Sequence, residues 1–383
     1  MINLNPISYY RNLPRRVKEF LEPLVLPLKV SYKNWREIRF NIYILSGKGK
    51  GTEATLKTLY ITSSEKTSYF IRRVYENAAT SVFIKSTCFW NLNRIINEYS
   101  SEVDLTLIDM NRLIPYFLKL KNAFLVPSFV RQKLDINKSK EEIIAGFRKN
   151  TRAVDLRRIR KFKYSYDIRS DLDSLKFFYE KMHVPYIQKR YPEEASIDSF
   201  NDIKKILQHG EILFIKSDGM YVAAALCKKE KECYYFCRLG VFDGNEDFVK
   251  KGALSALYYF GIIKAKDENM KTIDFGHSRP LLSDGVLHYK RKWGALVYND
   301  TALNRFFYLI LNKPQNISAV FIKQPFVYID KKELKAVMLL DGHIKAEDFD
   351  INNLFDEFSS PGIAAFKVIG CEKEVEYSLV DHA

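Results

Sequence analysis

The stretch EILFIKSDGMYVAAALCKKEKECYYFCRLGVF, residues 211–242, constrains the fold more than any other part of the chain. Segments 211–217, 220–229 and 232–242 are rich in β-branched and aromatic residues and read as strands. Only Asp218-Gly219 and Lys229-Glu230-Lys231 join them, and connections that short suit a meander. Upstream, 164–170 reads as a strand, 172–191 as a helix with an aromatic tail, and 198–210 as a second helix stopped by Gly210. Downstream, 250–269 reads as a long helix and 271–276 as the strand after it. A helix-like segment and a strand at 294–300 close the series. The resulting order is strand, two helices, three strands, helix, strand, an α/β (α+β) unit.

The first third also mixes the two element types. Strands are expected at 36–45, 56–63, 80–87 and 103–110, and helices at 66–78 and 109–121, the latter capped by Asp109 or Asn111. Ser139 with Glu142 three residues on forms a capping box and starts a helix within 138–164. That helix becomes basic, with Arg148, Lys149, Arg152, Arg157, Arg158, Arg160, Lys161 and Lys163 against Asp155. Like charges so poorly balanced repel along a helix face. Two readings stand: a solvated face, or a surface for an anion. The glycine-rich 46–55, SGKGKGTEAT, lacks the spacing of a phosphate loop and is expected to be a hairpin loop.

At 383 residues the chain makes two medium domains or one large one. With 47% hydrophobic and 28% charged residues it has the balance of a soluble globular protein, and no apolar run approaches the roughly 20 residues of a membrane helix. Pro6, Pro14, Pro23 and Pro27, with Arg11, Arg15, Arg16 and Lys18 among them, argue against a signal peptide, so the cytoplasm is the expected location. Cys88, Cys227, Cys233, Cys237 and Cys371 include no CxxC pair. They are expected as free thiols, with Cys233 and Cys237 on one sheet face and no metal site. The net charge of +15 favours an anionic partner: nucleic acid, a phosphorylated carrier, a cofactor phosphate or an acidic membrane surface. A lysine-rich composition alone would give the same sign.

GALSALYYFGIIKAKDENMK (252–271), the following TIDFG, DGVLHYKRKWGA (284–295) and the basic FRKNTRAVDLRRIRKF (147–162) occur in one order. Together they resemble the GNAT acyltransferase fold, and more closely its FemAB-type and CelD-like branch. The resemblance covers about residues 135–300. It implies tandem GNAT-like units, each a mixed, mostly antiparallel sheet flanked by helices. A degenerate unit would span 1–137, an acyltransferase unit 138–330 and an extension 331–383. The implied activity is transfer of an acyl or aminoacyl group from a thioester or ester to an amine or hydroxyl, for instance of a cell-envelope or polysaccharide precursor. The implied donors are acyl-CoA or aminoacyl-tRNA. CoA-using relatives carry Arg/Gln-x-x-Gly-x-Gly/Ala where the main helix starts, and its backbone N–H groups bind pyrophosphate. FVKKGALSAL (248–257) keeps Gly252 and Ala253, but Lys250 stands at the first glycine. That departure argues against a CoA pyrophosphate on the backbone and leaves Lys250 and Lys251 to neutralise a phosphate with their side chains.

The segment 272–297, TIDFGHSRPLLSDGVLHYKRKWGALV, concentrates side chains able to do chemistry. Direct attack of an amine on a carbonyl needs positioning and a donor for the oxyanion, with no covalent nucleophile. No Gly-x-Ser-x-Gly elbow or Cys/His arrangement is found. Lys290, in the pair Tyr289-Lys290, resembles the lysine that stabilises transition-state charge in FemAB-type enzymes; otherwise it is a surface lysine. Tyr289 either packs or donates a proton. Asp274, at a strand end, is either a base or a holder of the next loop. Asp284 is a helix N-cap or a base. His277 and His288 each read as a base near neutral pH or as structural. Arg279 offers its fork to a carboxylate or phosphate, and Trp293 is core. Arg152 and Arg158 join Lys250, Lys251 and Gly252 as candidate donor contacts. Tyr186, Gln188, Lys189 and Arg190 are placed along an acceptor groove. Two other classes stay open: a nucleic-acid-binding module using the basic helix, and a catalytically inactive GNAT scaffold.

Overall fold

A computed structural model describes residues 38–64, 68–118, 120, 122–192, 197–300, 302–322, 324–340, 352, 357–370 and 374–378. The N-terminal readings up to residue 37, residues 341–351 of the expected extension and Cys371 lie outside the described residues. Two units form, one from the segments up to 128, 301–351 and 364 onward, the other from 129–300 with 352–363.

The first unit is built on a ten-stranded mixed sheet. Arg39–Lys48 and Thr55–Thr62 pair as an antiparallel hairpin ending at Lys48 opposite Thr55, so the glycine-rich segment is the hairpin connection. Thr55–Thr62 then runs parallel to Leu105–Asn111. Phe40, Ile42, Leu59, Ile61, Ile95 and Ile108 are among the residues that fill its core. Two expected helices are cut short. Among the described residues of 66–78 the helix is Ile71–Val74, because Tyr75 turns extended and bridges to Gly49. Among those of 109–121 it is Ile114–Phe117, because Asp109 to Asn111 stay in a strand buried at every position. Asp109 instead pairs with Arg305 Nη2 at 2.7 Å.

The strand pairings draw the boundaries differently from the sequence expectation of 138–330 and 331–383. Arg305–Leu311, Phe326–Asp330 and Glu333–Leu339 all belong to the first sheet. Val130–Asp135, expected before the boundary, belongs to the second. Sheet membership depends on long-range hydrogen bonding, which the order of elements does not report.

The second unit runs β1 (Val130–Asp135), α1 (Lys140–Ala145), α2 (Leu156–Lys161), β2 (Ser165–Arg169), α3 (Leu172–Phe177), α4 (Val184–Arg190), α5 (Phe200–Leu207), β3 (Gly210–Ser217), β4 (Met220–Glu230) and β5 (Cys233–Val241). It continues with α6 (Glu246–Lys251), α7 (Ala253–Asp267), β6 (Thr272–Ser278), α8 (Gly285–Arg291) and β7 (Leu296–Tyr298). The strand order is β7-β1-β6-β5-β4-β3-β2. β3 to β5 form the expected antiparallel meander, β2 adds antiparallel to β3, and α7 then carries the chain across so that β6 lies parallel to β5. This is the mixed, mostly antiparallel sheet with flanking helices.

Local chemistry explains the helix boundaries. Ser139 Oγ accepts from Glu142 N at 3.1 Å while Glu142 Oε2 accepts from Ser139 N at 2.8 Å, closing the capping box of α1. The expected continuous basic helix is broken. α1 stops at Gly146, Arg148 N donates to Lys292 O at 3.0 Å, and a π-helical turn over Thr151–Asp155 precedes α2. The expected helix 250–269 is likewise two, because Gly252 at φ +96° ends α6 and starts α7. α7 lies directly on the sheet, since a Cβ on Gly261 would fall 2.3 Å from the Phe236 ring. Trp293 is fully buried, edge-on to Phe147 at 5.1 Å between ring centroids.

Candidate active site in the splayed sheet

β5 and β6 pair only where Cys233–Tyr235 faces Thr272–Asp274, although both strands run on. Just there each strand slips register against its other neighbour. β5 slips against β4 between Phe236 and Arg238, and β6 against β1 between Asp274 and His277. The slip in β5 bulges at Cys237 and interrupts the strand alternation that would put it on one face with Cys233. Beyond this level the strands part, and a cleft of about 480 Å³ opens between them. Phe236, Cys237, Arg238 and Leu239 form one wall, and Phe275, Gly276 and His277 the other. Apolar walls with a few polar groups are the usual make-up of a ligand site.

Lys290 lines this cleft from α8 and is only 4% exposed. Its Nζ donates to His277 O at 2.7 Å and to Ser278 Oγ at 3.2 Å. An ammonium has three N–H groups, so these bonds leave one for the cleft. Burial pushes the Lys290 amine down to about 7, against the attraction of Asp274 and Asp284. Tyr289, beside it, is held in a polar relay: its hydroxyl lies 3.1 Å from Ser255 Oγ, which donates to Asp155 Oδ1 at 2.7 Å. Lys292 Nζ sits 4.0 Å from the centre of the Tyr289 ring and 2.9 Å from Asp155 Oδ2. Burial raises the Tyr289 hydroxyl well above its ordinary value, so it stays protonated.

Asp274 is placed differently from a cleft base. It is buried behind the lining, where it accepts from Tyr298 Oη at 2.6 Å and Gly276 N at 2.7 Å and pairs with Arg131 Nε at 3.2 Å. With its oxygens so engaged it fixes the kink at Gly276, φ +75°, that starts the separation of β6. His277 does line the cleft, and its Nε2 is held 2.7 Å from Asp300 Oδ2.

The remaining expected residues divide between the cleft and its surroundings. Tyr186 and Arg190 line the cleft from α4, as does Lys189, and burial pushes the Tyr186 hydroxyl up to about 12. Gln188 is outside the lining. Asp284 caps α8, accepting from Val286 N and Leu287 N at 3.0 and 3.1 Å. Arg279 stacks on Phe129, its guanidinium carbon 4.6 Å from the ring centre, and is outside the cleft lining. His288 is also outside it, its Nδ1 accepting from Arg291 Nη2 at 2.8 Å, and Arg291 donates on to Glu357 O and Ser359 O.

A second cavity, of about 580 Å³, is lined by Arg157, Arg158, Lys161, Phe162, Lys250 and Lys251. Lys250 lines both cavities. Among the described residues, the only carboxylate beside these cations is Glu246, 3.8 Å from Lys250. Gly252 is the turn at its edge, and a Cβ there would meet the Arg158 side chain at 3.5 Å. Arg152 is exposed and outside this lining. Sequence reasoning missed Arg238, Cys237, Tyr258 and His183, all of which line the cleft. They sit on elements read as plain strands and helices, and no local motif marks them. No group of three His, Cys, Asp or Glu side chains among the described residues is arranged to hold a metal ion. No helix among them is long and apolar enough to cross a membrane.

No protein-family model matches the sequence, and no curated protein does. Solved structures with some likeness include FemX, at 14% identity and a TM-score of 0.38 over 73% of this chain and 92% of that one. L-PGS from Bacillus licheniformis matches at 10% identity and 0.35, over 73% of this chain and 84% of that one. A GCN5-related N-acetyltransferase from Anabaena variabilis matches at 7% and 0.29, over 85% of this chain and 73% of that one. With every one of these TM-scores below 0.5, the residue assignments rest on the geometry of this chain alone.

Proposed function

We propose that the cleft of the second unit transfers an acyl or aminoacyl group from a thioester or ester to an amine or hydroxyl. The observation that carries this reading is Lys290: a buried cation in the wall of an apolar cleft, with two N–H groups anchored and one directed by those anchors. The nucleophile attacks the carbonyl carbon, a C–N or C–O bond forms, and the bond to the leaving sulfur or oxygen breaks. Charge that develops on the carbonyl oxygen meets the remaining Lys290 N–H, already in place and shielded from water.

The five cations around Phe162 suit the anionic end of a donor, since they are nearly uncompensated and share Lys250 with the cleft. This supports a phosphate held by side chains, either of CoA or of the acceptor stem of an aminoacyl-tRNA. Tyr186 and Arg190 would border the acceptor, in our reading an amine or hydroxyl of a cell-envelope or polysaccharide precursor.

The test is thermal stability with acetyl-CoA, free CoA, bulk aminoacyl-tRNA and uncharged tRNA at two salt concentrations, since a ligand that binds only the folded state raises its midpoint. A rise with acetyl-CoA or with charged tRNA above uncharged tRNA identifies the donor. Equal rises with both tRNAs and steep salt dependence, without turnover, would favour a nucleic-acid-binding module. Turnover unchanged in Lys290→Met would sink the proposal.

A further inference from the structure

The path of the chain from Leu172 to Arg190 is helical but not uniform. α3 opens into a π-helical turn over Phe178–His183 before α4 begins. Such wide turns are rare and often mark functional positions. Here the turn ends on His183, which is 2% exposed and lines the same cleft as Lys290.

The imidazole is fixed from one side only. Its Nδ1 lies 2.7 Å from Leu239 O, and a carbonyl oxygen only accepts, so Nδ1 carries the hydrogen. In the neutral ring Nε2 is then a bare acceptor. Nε2 is buried and has no hydrogen-bond partner among the described residues. Leaving a buried polar atom without a partner is unfavourable, and simple packing would favour a leucine or methionine here. The placement is also enforced. β5 approaches the helix so closely that a Cβ on Gly240 would lie 2.7 Å from His183 N and from Met182 C. Phe178 and Tyr179 hold the ring, at 5.7 and 6.3 Å between centroids.

We infer that His183 Nε2 accepts the proton of the incoming nucleophile, a role that rests on the acyl-transfer reading above. The charged and titratable groups that act on or touch it are Arg238 of β5 with its carboxylate partner Asp198 and Tyr179 of the π turn, while Tyr186, Lys189 and Arg190 of α4, Cys237 of β5 and Glu246 and Lys250 of α6 line the same cleft. Burial lowers the imidazole below its ordinary value; the Leu239 bond and Asp198 oppose this and Arg238 reinforces it. The ring is therefore in its base form near neutral pH. As the nucleophile's nitrogen or oxygen bonds to the carbonyl carbon, its proton passes to Nε2. The bond to the leaving group breaks with its electron pair, and the imidazolium returns the proton to that thiolate or alkoxide. Atoms and charge balance, and Lys290 on the opposite wall meets the carbonyl oxygen.

The test compares wild type, His183→Asn, His183→Gln and Lys290→Met. An Asn amide can keep the bond to Leu239 O but has nothing at the Nε2 position. Transfer from acetyl-CoA and from bulk aminoacyl-tRNA to hydroxylamine is followed from pH 5 to 9, with melting temperature, and the ring tautomer is read by nitrogen NMR. In the expected result, His183→Asn melts like wild type and keeps its KM for the donor. Its kcat falls about 10²–10⁴-fold and the acidic limb of the profile disappears, His183→Gln does not restore it, and the wild-type ring carries its proton on Nδ1. An unchanged limb in His183→Asn, or a proton on Nε2, overturns the role. If Lys290→Met collapses while His183→Asn does not, only this inference fails. If wild type transfers nothing, both fail.

Discussion

Lys290, on the helix after β6, donates a 2.7 Å hydrogen bond back to the carbonyl oxygen of His277 within that strand. One short bond thus ties the buried ammonium to the backbone where β6 has left β5. It sets the direction of the remaining N–H and links that ammonium to the opening of the sheet.

Replacing Lys290 by Met should therefore abolish direction and charge together. Removing one preorganised oxyanion donor costs about 10²–10³-fold in kcat. Steady-state kinetics with the donor identified by thermal shift should show that loss in kcat, with melting temperature no lower than wild type, because Met fills the same buried space without a charge to desolvate.

The same lysine gives stability a pH signature. Its amine is lowered from 10.5 to about 7 in the folded state by burial. Between those values the unfolded chain binds more protons, so stability rises with pH through this window and the penalty is full below about 7. Urea unfolding from pH 6 to 10 should show that slope in wild type and a shallower one in Lys290→Met. Identical slopes would place the amine near its ordinary value.

Away from the cleft, Glu211 anchors a buried charge network. Its Oε1 accepts from Lys264 Nζ at 2.8 Å and Tyr234 Oη at 2.9 Å, and Lys229 Nζ lies 2.9 Å from Oε2. Burial works against the carboxylate, yet these donors outweigh it and hold it below its ordinary value. Its contribution is present above about 4.5, the unfolded value, and lost as pH falls through the lower folded value. Glu211→Ala leaves the 7% exposed Lys264 with Glu268 as its remaining carboxylate partner and removes the acceptor of Tyr234 Oη, so it should cost about 1–3 kcal/mol by chemical denaturation at pH 7.

Gly240 is where β5 meets the helix backbone. A Cβ there, 2.7 Å from His183 N, has no flexible neighbour to push aside. Gly240→Ala should destabilise by about 1–3 kcal/mol and disturb the His183 ring signal. A double substitution with His183→Asn should show non-additive stability, as contacting residues do.

If the cations around Phe162 hold an anion, Arg158→Glu with Lys251→Glu should remove most of the thermal shift given by the donor. Its salt dependence should flatten as well. Lys290→Met should leave that shift nearly intact, which separates binding from transfer.

The sequence by itself determined which segments would be strands in the meander and where Ser139 starts a helix, and it marked 272–297 as the segment densest in side chains able to do chemistry. Each of these is encoded within a few residues, in side-chain alternation, a three-residue capping spacing, or a cluster of polar letters. It also pointed to Lys290 and Tyr289, but not to their burial. Sheet membership moved 301–340 into the first unit, and paired slips at Cys237 and Gly276 opened the cleft. The same packing took Asp274 out of the cleft and brought His183 into it. These outcomes are the work of tertiary structure, because they depend on contacts between residues dozens of positions apart, where register and close backbone approach decide which side chain faces the cavity.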